Sequence, residues 1–283
     1  VGLITARDGI VVGSGITLSV DGDGFFTGVV TATSYAGDGS GLTGVAGTEN
    51  IRTNTNATFL QNVNVGVAIT AGKLGIGFTD TNIKVGNTAL DSLTTGTNNT
   101  SVGNNALTAN TTGAQNVAVG SQALDANTTG DNNTGVGHNS LSANTTGTQN
   151  VAVGNASLKA NTTADYNTAL GSSALQTNTT GDNNTAVGRY ALLLNTTGGQ
   201  NVAVGAAALD ANTTASDNVA IGYDALGANT TGTRNVAVGS LALDANTTAD
   251  NNVAIGAQAL TANTTGTKNT SVGTFSLDAN TTA

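Results

Sequence analysis

The side chains that could perform chemistry are few and scattered along the chain. His138 is the only histidine among the 283 residues, and the chain contains no cysteine. A serine hydrolase would need this histidine as its base, and a thiol enzyme would need a cysteine. His138 follows Gly137 at a position where the residue type varies, which favours a solvated corner residue over a base or a ligand. We therefore predict that the chain is not an enzyme and holds neither a cofactor nor a metal.

Aspartates are the next candidates, because carboxylate oxygens are ligands that Ca²⁺ prefers. One column of the sequence repeat described below contains Asp125, Asp210, Asp244 and Asp278. Ser142, Lys159 and Leu193 interrupt this column, whereas calcium-binding roll repeats carry an acid in every coil. The pattern favours a solvated acidic face. The residues that remain as candidates for occasional cation sites are Asp91, Asp131 and Asp182.

Surface recognition is a third kind of chemistry that the sequence permits. Four aromatic residues are predicted to lie on the outside of the repeat: Tyr166, Tyr190, Tyr223 and Phe275. They are our candidate contacts for a host cell-surface glycan or protein, although scattered surface aromatics are also normal in proteins. Eleven Asn-Thr-Thr units, from Asn110 to Asn280, fit the N-glycosylation pattern. A corner motif repeated for structural reasons gives the same string, and we favour that interpretation.

The composition indicates a repetitive or fibrous protein rather than a globular one. The chain contains 39 glycines, no proline, methionine or tryptophan, and only 9% charged residues. Its net charge of −9 leaves no basic face for nucleic acid. No apolar segment is long enough to cross a membrane as a helix, so we expect neither a membrane span nor a signal peptide within this sequence. Because the sequence lacks an initiator methionine and stops within its own repeat, we expect it to be a piece of a longer chain.

A repeat of 17 residues fills the chain from residue 82 onward. Its first asparagine falls at residues 82, 99, 116, 133, 150, 167, 184, 201, 218, 235, 252 and 269. We number the repeat from this asparagine, so that Gly is always at position 5 and Leu at position 9. Asn-Thr-Thr occupies positions 12 to 14, and only Leu93 replaces its asparagine. A fixed short period without insertions predicts a solenoid, in which each repeat is one coil.

The segment Asn-Val-Ala-Val-Gly alternates with a period of two, which predicts a β-strand. We expect each coil to contain two short strands and two corners, and successive coils to stack at about 4.8 Å. The aliphatic residues at positions 2 and 4 and the leucine at position 9 are predicted to point inward. Glycine should mark the hard turn at the end of the strand, and the asparagines should form amide ladders along the stack.

Position 3, between the two aliphatic positions, favours an oligomer. The residue there is small in every copy except at Lys84. A column facing solvent should drift toward long polar residues, so we predict that a partner chain lies against it. A homo-oligomer is expected, with a trimer as the first choice.

Two kinds of stretch in the sequence resemble known fibrous proteins. "NVAVGSQAL", from Asn116, and "NNVAIGAQAL", from Asn251, are similar to the repeat of trimeric autotransporter adhesin heads. The segments 28–45 ("GVVTATSYAGDGSGLTGV") and 73–86 ("KLGIGFTDTNIKVG") resemble tail-fibre proteins of bacteriophages, in particular marine ones. The adhesin repeats are shorter than this one, so the Asn-Thr-Thr corner would be an insertion. The resemblance implies a trimeric fibre on a virion or a cell surface.

The sequence therefore predicts an all-β protein, a parallel β-solenoid or β-roll that forms a trimer. Its predicted parts are a β-rich fibre segment at 1–49, a transition segment at 50–81 and the twelve-copy solenoid at 82–283. The expected function is the extracellular shaft of a phage tail fibre or surface adhesin, which positions a host-binding tip. The alternatives are a non-viral filament or trimeric adhesin of a bacterium, and an ice-binding solenoid. Adjacent threonines such as Thr128 and Thr129 argue against ice binding, because they should point to opposite faces.

Overall fold

The computed structural model describes residues 81–282 and the backbone of two short strands nearer the N-terminus, Ile16–Leu18 (β1) and Gly24–Phe26 (β2). These two strands pair antiparallel, with Ile16 opposite Phe26, and both lie in the predicted fibre segment. The rest of residues 1–49 and residues 50–80 of the predicted transition segment lie outside the described residues. The chain divides into two compact units, residues 1–70 and 71–283.

The repeat forms the β-solenoid that its period predicts. Each coil contributes one short strand at positions 2 to 4, and all twelve strands join in sequence order into one parallel sheet. They are Ile83–Val85 (β3), Thr100–Val102 (β4), Val117–Val119 (β5), Thr134–Val136 (β6), Val151–Val153 (β7), Thr168–Leu170 (β8), Thr185–Val187 (β9), Val202–Val204 (β10), Val219–Ile221 (β11), Val236–Val238 (β12), Val253–Ile255 (β13) and Thr270–Val272 (β14). Each strand residue pairs with its counterpart in the next coil, as Ala203 does with Ala220. No helix occurs among the described residues.

The prediction of two strands per coil was wrong. Outside positions 2 to 4 the coil consists of turns, in which positions 7, 9 and 17 adopt positive φ angles. The leucines at position 9 have φ between +48° and +55°, although a left-handed conformation is unfavourable for such a residue. Ten of them, from Leu107 to Leu260, are fully buried. Burial of the leucine side chain offsets the backbone strain, since it contributes about 2–3 kcal/mol.

The direction of the strand side chains was also predicted wrongly. Ala118 and the other alanines at position 3 are fully buried, whereas Val119 at position 4 is 36% exposed. The interior is too narrow for two branched columns. At Gly135, which replaces the alanine in one coil, a Cβ would already lie 3.3 Å from Leu124 Cγ and 3.1 Å from Ser140 Oγ. The small column therefore packs against leucine inside its own solenoid, and it does not face a partner chain.

Neighbouring coils are joined by backbone hydrogen bonds around their whole circumference. Val117 N–H donates to Asn133 O at 2.8 Å on the strand side, and Thr128 N–H donates to Thr145 O at 2.9 Å in the Asn-Thr-Thr corner. On the leucine side, Leu124 N–H donates to Ser140 O at 3.0 Å. Turns without regular secondary structure are thus hydrogen-bonded from coil to coil as the sheet is, because each coil supplies the partners of the next.

Candidate functional site

The polar groups inside the solenoid are fully occupied in holding the coils together. Asn127, at position 12, donates from Nδ2 to Asn110 Oδ1 of the preceding coil at 2.9 Å and to Gly130 O of its own coil at 3.0 Å. Asn116, at position 1, donates to the same Gly130 O at 2.8 Å, and its Oδ1 accepts the Asn133 N–H. Among the described residues, no buried side-chain nitrogen or oxygen lacks a partner. The predicted amide ladders are confirmed.

The Asn-Thr-Thr corner has a structural role. Its asparagines from Asn110 to Asn263 are all fully buried. A glycan on such an Nδ2 atom would displace the ladder bond and force a bulky group into the interior. Thr128 is partly buried and donates from Oγ1 to Thr145 O at 3.0 Å, whereas Thr129 is exposed. The two threonines therefore point in different directions, as predicted.

The candidate acids at position 16 accept backbone hydrogen bonds. Asp131 Oδ1 accepts the Ala114 N–H at 2.7 Å, and Asp182 Oδ1 accepts the Asp165 N–H at 2.8 Å. Each carboxylate thus satisfies a donor of the preceding coil. Asp91 instead forms an ion pair with Lys84 Nζ at 2.5 Å. Within residues 81–282, no three side chains of the metal-binding types are grouped to hold a metal ion.

Three aspartates of position 10, Asp125, Asp210 and Asp244, lie in a partly desolvated setting beside the leucine column. Burial raises the pKa of the Asp125 carboxyl group. Burial also raises the pKa of Asp210, and the neighbouring carboxylates of Asp224 and Asp244 raise it further. The pKa of Asp244 is raised by burial and by Asp224 in the same way. Asp210, Asp224 and Asp244 lie on successive coils and repel one another. The acidic face is therefore only partly solvated at these coils.

The structure separates the remaining candidate residues. His138 is exposed, and its Nδ1 lies 3.3 Å from Asn155 Nδ2 of the next coil. Tyr166 is 55% exposed at position 17, which precedes the strand, whereas the other three aromatics follow it. Tyr223, at position 6, and Phe275, at position 7, are 59% and 57% exposed and three coils apart. These residues do not form one site.

Tyr190 has the most developed surroundings among the four aromatic candidates. It is partly buried at position 7, and the guanidinium of Arg189 lies 4.2 Å from its ring centroid. Arg189 also donates to the Tyr190 hydroxyl at 2.8 Å. Because the arginine covers this ring and bonds its hydroxyl, Tyr190 offers less free surface to a ligand than Tyr166 or Tyr223 does.

The surface that sequence reasoning missed is the outer side of the strands. We define the strand face as the side chains at positions 2 and 4 of β3 to β14. They include Ile83, Val85, Val119, Val151, Leu170, Ile221, Ile255 and Val272, which are between 36% and 67% exposed. The alternation of residue types along the strand was the signal in the sequence. The aliphatic residues of positions 2 and 4 were expected inside the coil, but they lie outside it.

Comparison with known proteins does not extend these observations: no protein-family model, curated protein or solved structure matches the chain. In the part of the chain that the structure describes, no helix is long and apolar enough to cross a membrane. The class that the fold defines is a parallel β-solenoid with one short strand in each coil.

Proposed function

We propose that this chain is the structural shaft of an extracellular fibre, as in a phage tail fibre, where it positions a host- or surface-binding tip. The observation that carries the proposal is the uninterrupted stack of twelve strands, in which every coil binds the next through backbone and asparagine side chains. At about 4.8 Å per coil, the stack is a rod of roughly 55 Å. Such a rod transmits position and load along one axis.

The chemistry of the side chains supports a mechanical role. Buried asparagines and partly buried threonines and acids bind neighbouring coils, as Asn127, Thr128 and Asp131 do. The resemblance of the repeat to adhesin heads and of the N-terminal segments to tail fibres supports the extracellular setting. A bacterial filament or trimeric adhesin would use the same rod. The two alternatives differ in whether a virion or a bacterial cell carries the fibre. We further propose that the fibre is a homo-oligomer, with a trimer as the expected form.

The role as a shaft predicts that the number of coils sets the length of the fibre. Duplicating residues 116–217, which are six coils, should lengthen the rod by about 29 Å without changing its cross-section. Small-angle scattering of the purified full chain and of the duplicated chain would measure both quantities. An unchanged maximum dimension, or a thicker particle, would contradict the proposal.

The location can be tested with gold-labelled antibodies raised against the repeat. Labelling along fibres that project from virions would support the phage setting, and labelling on bacterial surfaces would support the adhesin. Label confined to the interior of cells would overturn the extracellular role.

A further inference from the structure

We propose that the strand face is the surface on which copies of this chain meet. This inference rests on the proposed oligomeric fibre and names the side of the solenoid that forms its interface. Positions 2 and 4 of the twelve coils hold aliphatic side chains, apart from five threonines at position 2. Position 4 is Val, Leu or Ile in all twelve coils. Soluble proteins rarely expose a continuous apolar surface of this kind unless it binds a partner.

The other exposed columns show that the repeat does not avoid charge in general. Positions 6 and 17 carry Arg189, Asp217, Arg234 and Lys268 among their varied residues. No charged residue occurs at any position of the strand face. The same coils therefore carry charged residues on one side and none on the strand face. The absence of charge is a property of the strand face and not of the repeat as a whole.

The strand face is suited to a second copy of the same chain. It offers no charge to an acidic or basic partner, which excludes nucleic acid and charged peptides as matching ligands. A second copy presents an equally long and uncharged surface with the same spacing of about 4.8 Å, so identical contacts recur at each coil. An unrelated protein would have to reproduce that spacing over the whole stack.

The size of the strand face is sufficient for a specific interface. Twelve strands at about 4.8 Å, each about 10 Å long, give a flat area of roughly 550 Å² per copy. Two copies would bury about 1,100 Å² in total, which exceeds the value of about 1,000 Å² that a specific interface requires. In a trimer each strand face would lie near the central axis and contact two neighbours.

Charge placed on the strand face tests this interface. The variant combines Val119→Lys, Leu170→Lys and Ile221→Lys, which are side chains 36% to 48% exposed. The matched control combines Gln149→Lys, Asn183→Lys and Gln200→Lys at position 17, where Lys268 already stands. In sedimentation velocity we expect the wild-type chain and the control to remain oligomeric and the strand-face variant to become monomeric. An oligomeric strand-face variant that keeps the wild-type mass would overturn the inference.

Cysteine cross-linking covers the case in which the triple variant does not fold. The chain has no cysteine of its own, so Leu170→Cys and Gln200→Cys each introduce a single thiol. Under an added mild oxidant, which removes two electrons and two protons from each pair of thiols, we expect Leu170→Cys to give covalent dimers on a denaturing gel. We expect Gln200→Cys to give only the uncross-linked chain on the same gel. Equal cross-linking of the two variants, or a monomeric wild-type chain, would overturn the inference, whereas the rod-length experiment judges the shaft independently.

Discussion

At the scale of single residues, the glycine at position 5 has a clear physical reason to be the same in all twelve copies of the repeat. These glycines have φ between +128° and +144° in all twelve coils, a region that residues with a Cβ rarely occupy. A Cβ at Gly154 would lie 2.5 Å from Gly171 O of the next coil. Both the backbone angle and the contact between coils therefore require glycine at the end of each strand.

We expect Gly154→Ala to lower the free energy of unfolding by about 2–5 kcal/mol, from backbone strain and from steric contact with the next coil. The matched control is Gly130→Ala at position 15. A Cβ there would also be close to the next coil, 2.4 Å from Gly147 O, but Ala164, Ala215 and Ala249 already occupy this column. The control should cost no more than about 1 kcal/mol. Chemical denaturation followed by circular dichroism measures both, and equal losses would contradict the explanation.

At the scale of the coil's elements, the turns hold the solenoid together as much as the strands do. The segment between the glycine of position 5 and the asparagine of position 12 carries two left-handed residues, one at position 7 and the other the leucine of position 9. The acids of position 10 lie on the same segment. Its backbone still bonds to both neighbouring coils, as Gln122 N–H does to Asn104 O at 2.9 Å and Leu124 N–H to Ser140 O at 3.0 Å. Side chains on this segment are fixed at the spacing of the coils, and like charges there cannot move apart.

The raised pKa values of Asp210 and Asp244 make the stability of the solenoid depend on pH. Because burial and Asp224 raise them above the ordinary value of about 3.9, the ionised forms reduce stability at neutral pH. This loss is relieved as the pH falls through the folded-state values toward about 4. We therefore expect the melting temperature to rise on acidification over that range.

Asp210→Asn should raise the melting temperature at pH 7 by about 1–3 °C, since partly exposed charges interact by at most about 1 kcal/mol. On acidification from pH 7 to 4, the melting temperature of this variant should rise by less than that of the wild type. Asp217→Asn is the control, because it lies at an exposed position where Asn183 and Asn251 occur in other coils. Thermal melts at several pH values measure the effect; a wild type that loses stability over this range would show the assignment to be wrong.

At the scale of the whole molecule, each coil is the template for the next. The sheet has one order, β3 to β14, and each strand contacts only its neighbours in the chain. Stability is therefore a sum of coil and interface contributions. The buried leucines illustrate the dependence on neighbours, because Leu260 is fully buried whereas Leu277 in the last coil is 50% exposed.

Removal of one whole coil should consequently be tolerated, and removal of part of a coil should not. Deletion of residues 150–166 joins two intact coils, and we expect a melting temperature within a few degrees of the wild type. Deletion of residues 150–157 removes β7 and leaves only the second half of a coil, so the coils on the two sides lose the hydrogen bonds that they make to β7. We expect a fall of about 5 °C or more, which corresponds to about 2 kcal/mol, or two separate transitions. Thermal melts of the two variants decide between these outcomes, and similar curves would contradict templated stacking.

The sequence by itself determined the period, the solenoid, the buried leucine column and the asparagine ladders. Those features follow from local pattern, because a fixed period without insertions places identical side chains above one another whatever the path of the coil. The sequence also contained the strand at positions 2 to 4, since an alternating Val-Ala-Val segment favours an extended backbone.

Only the tertiary structure decided which side of that strand faces the interior. Alternation predicts two faces but not which one is covered, and the usual preference for burying valine suggested the wrong one. The choice depends on the width of the coil, and this width is set by residues such as Leu124 that fold across the interior with positive φ. Where leucine fills the space opposite the strand, alanine, serine or glycine lies between them in eleven of the twelve coils, and only the first coil has a longer residue there, Lys84. Val119 and its counterparts therefore lie outside, where they form the strand face.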